Sequence, residues 1–246
     1  MADRYFLAAA PVGDRAQLAG AEAQHLVRAM RASIGDEVVV FDGRGGEYLA
    51  RIERVGRDVV ELVILELRTA DRELPLAIAL GVALPKGDRQ RWLVEKSVEL
   101  GVARIVPLLC ERSVAQPGEA TADRLSRYVV EASKQCGRNR LLEIAPAASF
   151  AAFAGQDVPR SEVLRLAAHP HVQAGAGLTL REVIGPVAGG TCRIAWLAVG
   201  PEGGFTGNEV SALLENGWQS VSLGPRGLRT ETAALALVAA LAAVVE

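Results

Sequence analysis

Ile194-Ala-Trp-Leu-Ala-Val199, continuing as Gly200-Pro-Glu-Gly-Gly-Phe-Thr206, joins an apolar run to a glycine-rich turn. A short apolar run bounded by such a turn fits a buried strand. A second turn of the same kind, Leu223-Gly-Pro-Arg-Gly-Leu-Arg-Thr-Glu-Thr232, follows the short run Val221 to Leu223. Each turn leads into a helical pattern. Strand, glycine turn, helix is a geometry that brings backbone N–H groups close to a ligand. Two such turns joined by one short helix are expected to open at the same end of one parallel sheet. That end is the expected site, and a phosphate is the first expectation for what the turns grip.

Neither turn carries a nucleotide fingerprint. The G-x-G-x-x-G spacing is absent, and the first turn lies late in the chain. No Gly-Lys-Ser/Thr follows, so it is not a P-loop. A tight turn whose glycines supply positive φ stays open as an alternative. Between the turns, Thr206 as N-cap and Glu209 as N3 predict a capping box before Val210, Leu213 and Leu214, with Asn216-Gly217 as the stop. Trp218 to Leu223 reads as the last strand and Thr230 to Glu246 as the last helix.

Upstream, strands and helices alternate, as in an α/β domain with a parallel sheet. Leu76 to Leu84, Arg104 to Leu109 and Glu162 to Ala168 read as strands. Asp88 to Leu100 reads as a helix stopped at Gly101. Thr121 to Cys136 reads as a longer one, with Thr121 as N-cap and Gly137 as its stop. Residues 68–75 are charged, end in proline and read as a linker. Residues 1–70 are mainly β: Arg4 to Ala8, Glu37 to Phe41, Glu47 to Ile52 and Val59 to Leu65, plus a helix over Glu22 to Ala32 with Leu26, Val27 and Met30 inward. Several short strands plus one helix suggest a small barrel. The division is therefore 1–70 and 71–246.

The 246 residues suffice for a packed core, and half are apolar. Lys plus Arg is 27 and Asp plus Glu is 29, a formal net charge of −2. A nucleic-acid contact would therefore have to use a local patch. Cys110, Cys136 and Cys192 are far apart and odd in number, which fits a reduced cytosolic protein rather than a disulfide scaffold or a zinc site. His25, His169 and His171 are too few and scattered for a metal site, so no metal is expected. No basic segment followed by an apolar stretch marks a secretory signal at the start. The apolar run Ala233 to Val245 is shorter than the roughly 20 residues of a membrane span and reads as a buried or interface helix.

Arg226 and Arg229 beside glycines, with Glu231 following, suit phosphate or a flat base, with a carboxylate to orient them or take a proton. An Arg–Glu pair that only fixes the turn is the alternative. Lys134-Gln-Cys-Gly-Arg138-Asn139-Arg140 either answers a helix dipole or forms a patch for RNA phosphates. Lys86-Gly-Asp-Arg89-Gln-Arg91 is basic at a helix start, the wrong end for the dipole, and suggests a partner. Cys136 has no visible activating partner for a nucleophile.

Together, Gly200-Pro-Glu-Gly-Gly-Phe-Thr206, Leu223-Gly-Pro-Arg-Gly-Leu-Arg-Thr-Glu-Thr-Ala233, Glu95-Lys-Ser-Val-Glu-Leu-Gly-Val102, Gln135-Cys-Gly-Arg-Asn139 and His169-Pro170 resemble the RsmE family. These are bacterial 16S rRNA uridine N3-methyltransferases of the SPOUT superfamily. The resemblance covers nearly the whole chain; Arg4-Tyr-Phe6 and Leu26-Val-Arg28-Ala-Met-Arg31 are similar to its PUA-like N-terminal domain. It implies an α/β C-terminal domain with a deep trefoil knot, a homodimer, a cytoplasmic location, and S-adenosyl-L-methionine as cofactor. The cofactor residues it implies are Ala168, His169, Val199, Gly200, Gly203, Gly204, Leu223, Gly224, Leu228, Thr230 and Thr232. Arg4, Arg28, Arg31, Lys86, Arg138, Asn139 and Arg140 are the implied RNA contacts. Arg229 or Arg226 would stabilise charge on the uracil oxygens, and Glu202 or Glu231 would take the proton. Gly227 stands where the family has an apolar residue. Other SPOUT methylations, at a ribose 2′-O or guanine N1, and a non-catalytic RNA-binding module stay open as alternatives.

Overall fold

The computed structural model describes residues 4–114, 117–156, 163–168, 178–189 and 192–245. The chain divides into two compact units, Met1–Glu73 with Val130–Leu141, and Leu74–Val129 with Leu142–Glu246.

The first unit is built on a five-stranded sheet of β1 (Arg4–Phe6), β2 (Arg15–Ala19), β3 (Glu37–Phe41), β4 (Glu47–Val55) and β5 (Val59–Arg68), ordered β1-β3-β4-β5-β2. Only the β1–β3 pairing is parallel. The period-2 pattern of β4 survives, with Ala50 and Ile52 buried and Arg51 and Glu53 exposed. Strand β2 escaped the sequence reading because Arg-Ala-Gln-Leu-Ala is poor in β-formers; only Ala16 and Leu18 are buried there.

The helix expected over Glu22–Ala32 differs. A single turn, α1 (Gly20–Gln24), opens into a wide π-type turn over His25–Ala29, where the Ala32 amide reaches back to the Leu26 carbonyl at 3.3 Å. The wider turn rotates the following residues. Leu26 stays buried, but Met30, expected inward, is 45% exposed.

The second unit contains β6 (Ala77–Val82), α2 (Asp88–Glu99), β7 (Arg104–Leu109), α3 (Glu119–Cys136, whose last turns belong to the first unit), β8 (Glu143–Ile144), β9 (Ala148–Ser149) and α4 (Phe150–Ala154). It continues with β10 (Val163–Ala168), β11 (Leu178–Thr179), α5 (Leu180–Val183), α6 (Gly185–Ala188), β12 (Ile194–Val199), α7 (Gly207–Glu215), β13 (Gln219–Ser222) and α8 (Thr230–Val245). The sheet order is β11-β13-β10-β12-β6-β7-β8, with every pairing parallel. Strands β10 and β12 are buried on both faces, as parallel strands covered by helices are. The capping box at Thr206 and Glu209 is present, and Gly217 (φ 76°) follows the end of α7. Helix α3 starts at Glu119, so Thr121 lies in its first turn and is not the N-cap.

Phe153, Trp196 and Trp218 pack together within the core of this unit. Phe153 lies 5.0 Å from Trp196 and 5.5 Å from Trp218, and the Trp218 indole N–H donates to the Ala154 carbonyl at 3.0 Å. Arg165, 8% exposed in β10, donates to the carbonyls of Asn216 and Gln156 at 2.8 and 2.9 Å. Carbonyl oxygens thus accept hydrogen bonds from this buried cation.

Gly81 in β6 has no room for a side chain. A Cβ built there would overlap the Phe153 ring. Gly81→Ala is expected to destabilise the protein by about 1–3 kcal/mol through overpacking; chemical denaturation checks this, and an unchanged midpoint would contradict the packing argument.

Candidate active site

Strands β12 and β13 lie on either side of β10, all parallel, so their C-terminal ends and the turns that follow open on one edge. Ala168 pairs with Val199 on one side and with Val221 on the other. A cleft at this edge is lined by Ala168, Val221, Leu223, Gly224, Arg226, Leu228 and Ala233. Of the residues proposed from the sequence, it brings together Ala168, Leu223, Gly224, Leu228 and Arg226. Val221 and Ala233 were not proposed. The walls are small and apolar, and Arg226 supplies the charge. Gly224 has φ 105°, and a Cβ there would meet no atom within 4 Å. The backbone at Gly224 therefore borders open space, as close approach to a flat ligand requires. His169 follows Ala168 directly in sequence and lies outside the described residues.

The first turn is braced from three directions. The Thr230 hydroxyl, on a residue 3% exposed, donates to the Gly200 carbonyl at 3.1 Å. The Arg112 guanidinium donates to the Gly203 carbonyl at 2.8 Å. Glu209 accepts from the Glu111 amide at 3.0 Å while it caps α7. Val199 and Phe205 are buried, and Gly204 takes φ 69°. Thr232 is exposed in the first turn of α8, as is Arg229 just before it.

Glu202 and Glu231 come to one cation. Arg89 Nη1 lies 3.2 Å from Glu202 Oε1 and 3.6 Å from Glu231 Oε2. The Glu202 side chain is 40% exposed and that of Glu231 is 6% exposed. Among the described residues nothing hydrogen-bonds to Glu231 Oε2. Arg89 was not singled out from sequence, although its cluster was flagged as basic at the wrong end of a helix. Its partners are carboxylates of the chain itself.

The first unit corrects part of the expected RNA patch. Arg138 is 4% exposed and grips Glu73 through Nε at 2.9 Å and Nη2 at 2.5 Å. Asn139 is 3% exposed and donates to the Ala70 carbonyl at 2.8 Å. Arg4 is buried against Glu47 at 3.2 Å and over the Phe41 ring at 4.8 Å. Burial pulls its pKa down, and Glu47 opposes that shift. These three side chains are buried and bonded within the unit, so the basic stretch is largely structural. Arg28, Arg31 and Arg140 are exposed, as is Lys86 in the second unit.

Cys110 is 9% exposed, and its thiol is pushed up to about 12, first by burial and then by Glu209, against the Ser113 hydroxyl. Burial and the neighbouring carboxylate therefore disfavour the thiolate that a nucleophile needs. Among the described residues no cluster could hold a metal ion, and no helix is long and apolar enough to cross a membrane.

A parallel sheet with a cleft at the second glycine turn, together with a separate β-rich unit, defines the class. Residues 72–242 match a family described as an RNA methyltransferase domain, and residues 18–65 match an RNA methyltransferase PUA domain. The fold class expected from sequence, an α/β domain with a PUA-like N-terminal domain, is thereby borne out.

The chain is 34% identical over 232 residues to ribosomal RNA small subunit methyltransferase E of Synechocystis sp., covering 93% of this chain and 73% of that protein. It is 29% identical over 228 residues to the Bacillus subtilis protein of the same name, covering 91% and 88%. Two solved structures share the fold. A Legionella pneumophila methyltransferase in complex with bound SAM has TM-score 0.87 and 31% identity, covering 99% of this chain and 98% of that one. Ribosomal RNA small subunit methyltransferase E from Neisseria gonorrhoeae, bound to S-adenosyl methionine, has TM-score 0.85 and 32% identity, covering 98% and 96%. The chain belongs to the ribosomal RNA small subunit methyltransferase E family.

Two outcomes follow from this geometry. Thr230→Val removes a buried hydrogen bond to Gly200 and is expected to cost about 1–3 kcal/mol of stability, read by thermal melting. Cys110 is expected to alkylate with iodoacetamide at pH 8 far more slowly than in urea-unfolded protein; equal rates, read by peptide mass analysis, would contradict its burial.

Proposed function

We propose that the chain methylates N3 of a uridine in the decoding region of 16S rRNA, using S-adenosyl-L-methionine and acting as a cytoplasmic homodimer. The observation that carries the reading is the cleft of Ala168, Leu223, Gly224 and Leu228 at the ends of β10 and β13. Its apolar walls and exposed glycine backbone fit a flat adenine, and relatives of the same fold bind S-adenosyl methionine.

When bound, the cofactor supplies a methyl group made electrophilic by its sulfonium. The chain must then align uracil N3 with that carbon and dispose of the N3 proton. N3 forms the new N–C bond, the S–C bond breaks to leave a neutral thioether, and the proton passes to a carboxylate. Glu202 is the better acceptor by exposure, because Glu231 is enclosed. Arg226 lines the cleft and Arg229 is exposed nearby in sequence; their guanidiniums answer the charge that develops on the uracil oxygens. Attack by nitrogen needs no thiol, in keeping with the protonated Cys110.

A knotted C-terminal path belongs to the same reading. It is supported by β10 lying between β12 and β13 while Thr230 at the start of α8 bonds back to Gly200. The dimer is supported by the uncharged open side of α8, where Thr232, Ala236 and Ala243 are exposed. The cytoplasmic location is supported by three free cysteines.

Deleting the gene is expected to remove one N3-methyluridine from small-subunit rRNA, read by nucleoside mass analysis; loss of a 2′-O-methyl or N1-methylguanine mark instead would replace the N3 reading with that chemistry. Arg229→Ala is expected to lower kcat by about 10²–10³-fold with an unchanged melting temperature. Near-normal turnover would overturn its charge-stabilising role.

A further inference from the structure

Arg89 stands where three stretches of the second unit meet. It comes from the first turn of α2, Glu202 from the first glycine turn, and Glu231 from the first turn of α8, just past the second glycine turn. Among the described residues, two contacts tie the turns to each other. One is the Thr230 hydroxyl on the Gly200 carbonyl. The other runs through Arg89, whose single Nη1 serves one carboxylate from each side.

The two carboxylates are unequal. Glu202 is half-open to water, which can solvate it if Arg89 is removed. Glu231 is enclosed, and no described group donates a hydrogen bond to its Oε2. For that oxygen Arg89 is the compensating charge. Without it, an enclosed anion remains at the start of α8, and the start of α8 must loosen to hydrate it.

We infer that Arg89 is a positioning residue that keeps the start of α8, and with it the second glycine turn, in one arrangement by neutralising the enclosed Glu231, so that the cleft is preformed. The assignment of the cleft to S-adenosylmethionine rests on the proposed function; the neutralising of Glu231 by Arg89 does not. Removal of Arg89 should weaken cofactor binding, and removal of the Glu231 charge from that variant should restore it. A residue that merely filled space would not be rescued by deleting its partner's charge. Lysine keeps the charge but not the planar guanidinium, so Arg89→Lys should fall between wild type and Arg89→Gln.

The test uses the full chain as wild type, R89Q, R89K, E202Q and R89Q/E231Q, each checked for fold by circular dichroism. Calorimetry with S-adenosylmethionine is expected to show binding about 10-fold or more weaker in R89Q. Binding should return to within about threefold of wild type in R89Q/E231Q, and E202Q should change it little. Amide exchange is measured in parallel without ligand. Peptides covering residues 200–205 and 223–231 should exchange faster together in R89Q and slow again in R89Q/E231Q. Unchanged exchange of both peptides in R89Q, or no reversal in the double variant, overturns the inference. If wild type binds no S-adenosylmethionine but the exchange pattern appears, the cofactor reading fails while the role of Arg89 stands.

Discussion

The parallel pairing of β10 with β12 on one edge and β13 on the other is the constraint on which the candidate site depends. A parallel strand can reach its neighbour only through a crossover, so each of these strands leaves the sheet at the same edge and must turn there. Ala168, Val199 and Val221 are thereby aligned in register, and the turns after Val199 and Val221 start at the same edge. Glycine serves this arrangement in two ways: Gly204 and Gly224 take left-handed φ values in the turns, and Gly81 within β6 leaves the Phe153 ring its space. The candidate cleft lies where the second turn meets the ends of β10 and β13.

Charge is handled by internal pairing. With a net charge of −2, the chain has nearly as many cations as anions, and many of its arginines find carboxylates within the fold. Arg138 takes Glu73, Arg4 takes Glu47, and Arg89 takes Glu202 and Glu231. Breaking a buried pair such as Arg4 with Glu47 costs about 3–5 kcal/mol, because the partner is left charged and enclosed. The exposed cations, including Arg28, Arg31, Lys86, Arg140, Arg226 and Arg229, are the ones free of that burial. A family that works on ribosomal RNA therefore does not need a basic chain, only exposed cations in suitable places.

Much of the fold was legible in the residues. The capping box at Thr206 and Glu209, the stops at Gly101, Gly137 and Gly217, and the alternation of β4 are all local. Each rests on contacts a few residues apart, so spacing alone specifies them. The gathering of Leu223, Gly224 and Leu228 was legible for the same reason, since they share one short turn. The π-type turn at His25–Ala29 was not, because a wider hydrogen-bonding ring leaves no separate mark in the hydrophobic pattern.

The sequence by itself determined that glycine turns follow two apolar strands and that a carboxylate follows a pair of arginines in the second. The tertiary structure alone decided which charged groups are enclosed. Arg138 meets Glu73 across 65 residues, and Arg4 meets Asn139 across 135. Arg89 reaches both glycine turns from a different helix. Local patterns follow from backbone periodicity, but burial and charge pairing depend on which distant surfaces the fold brings into contact.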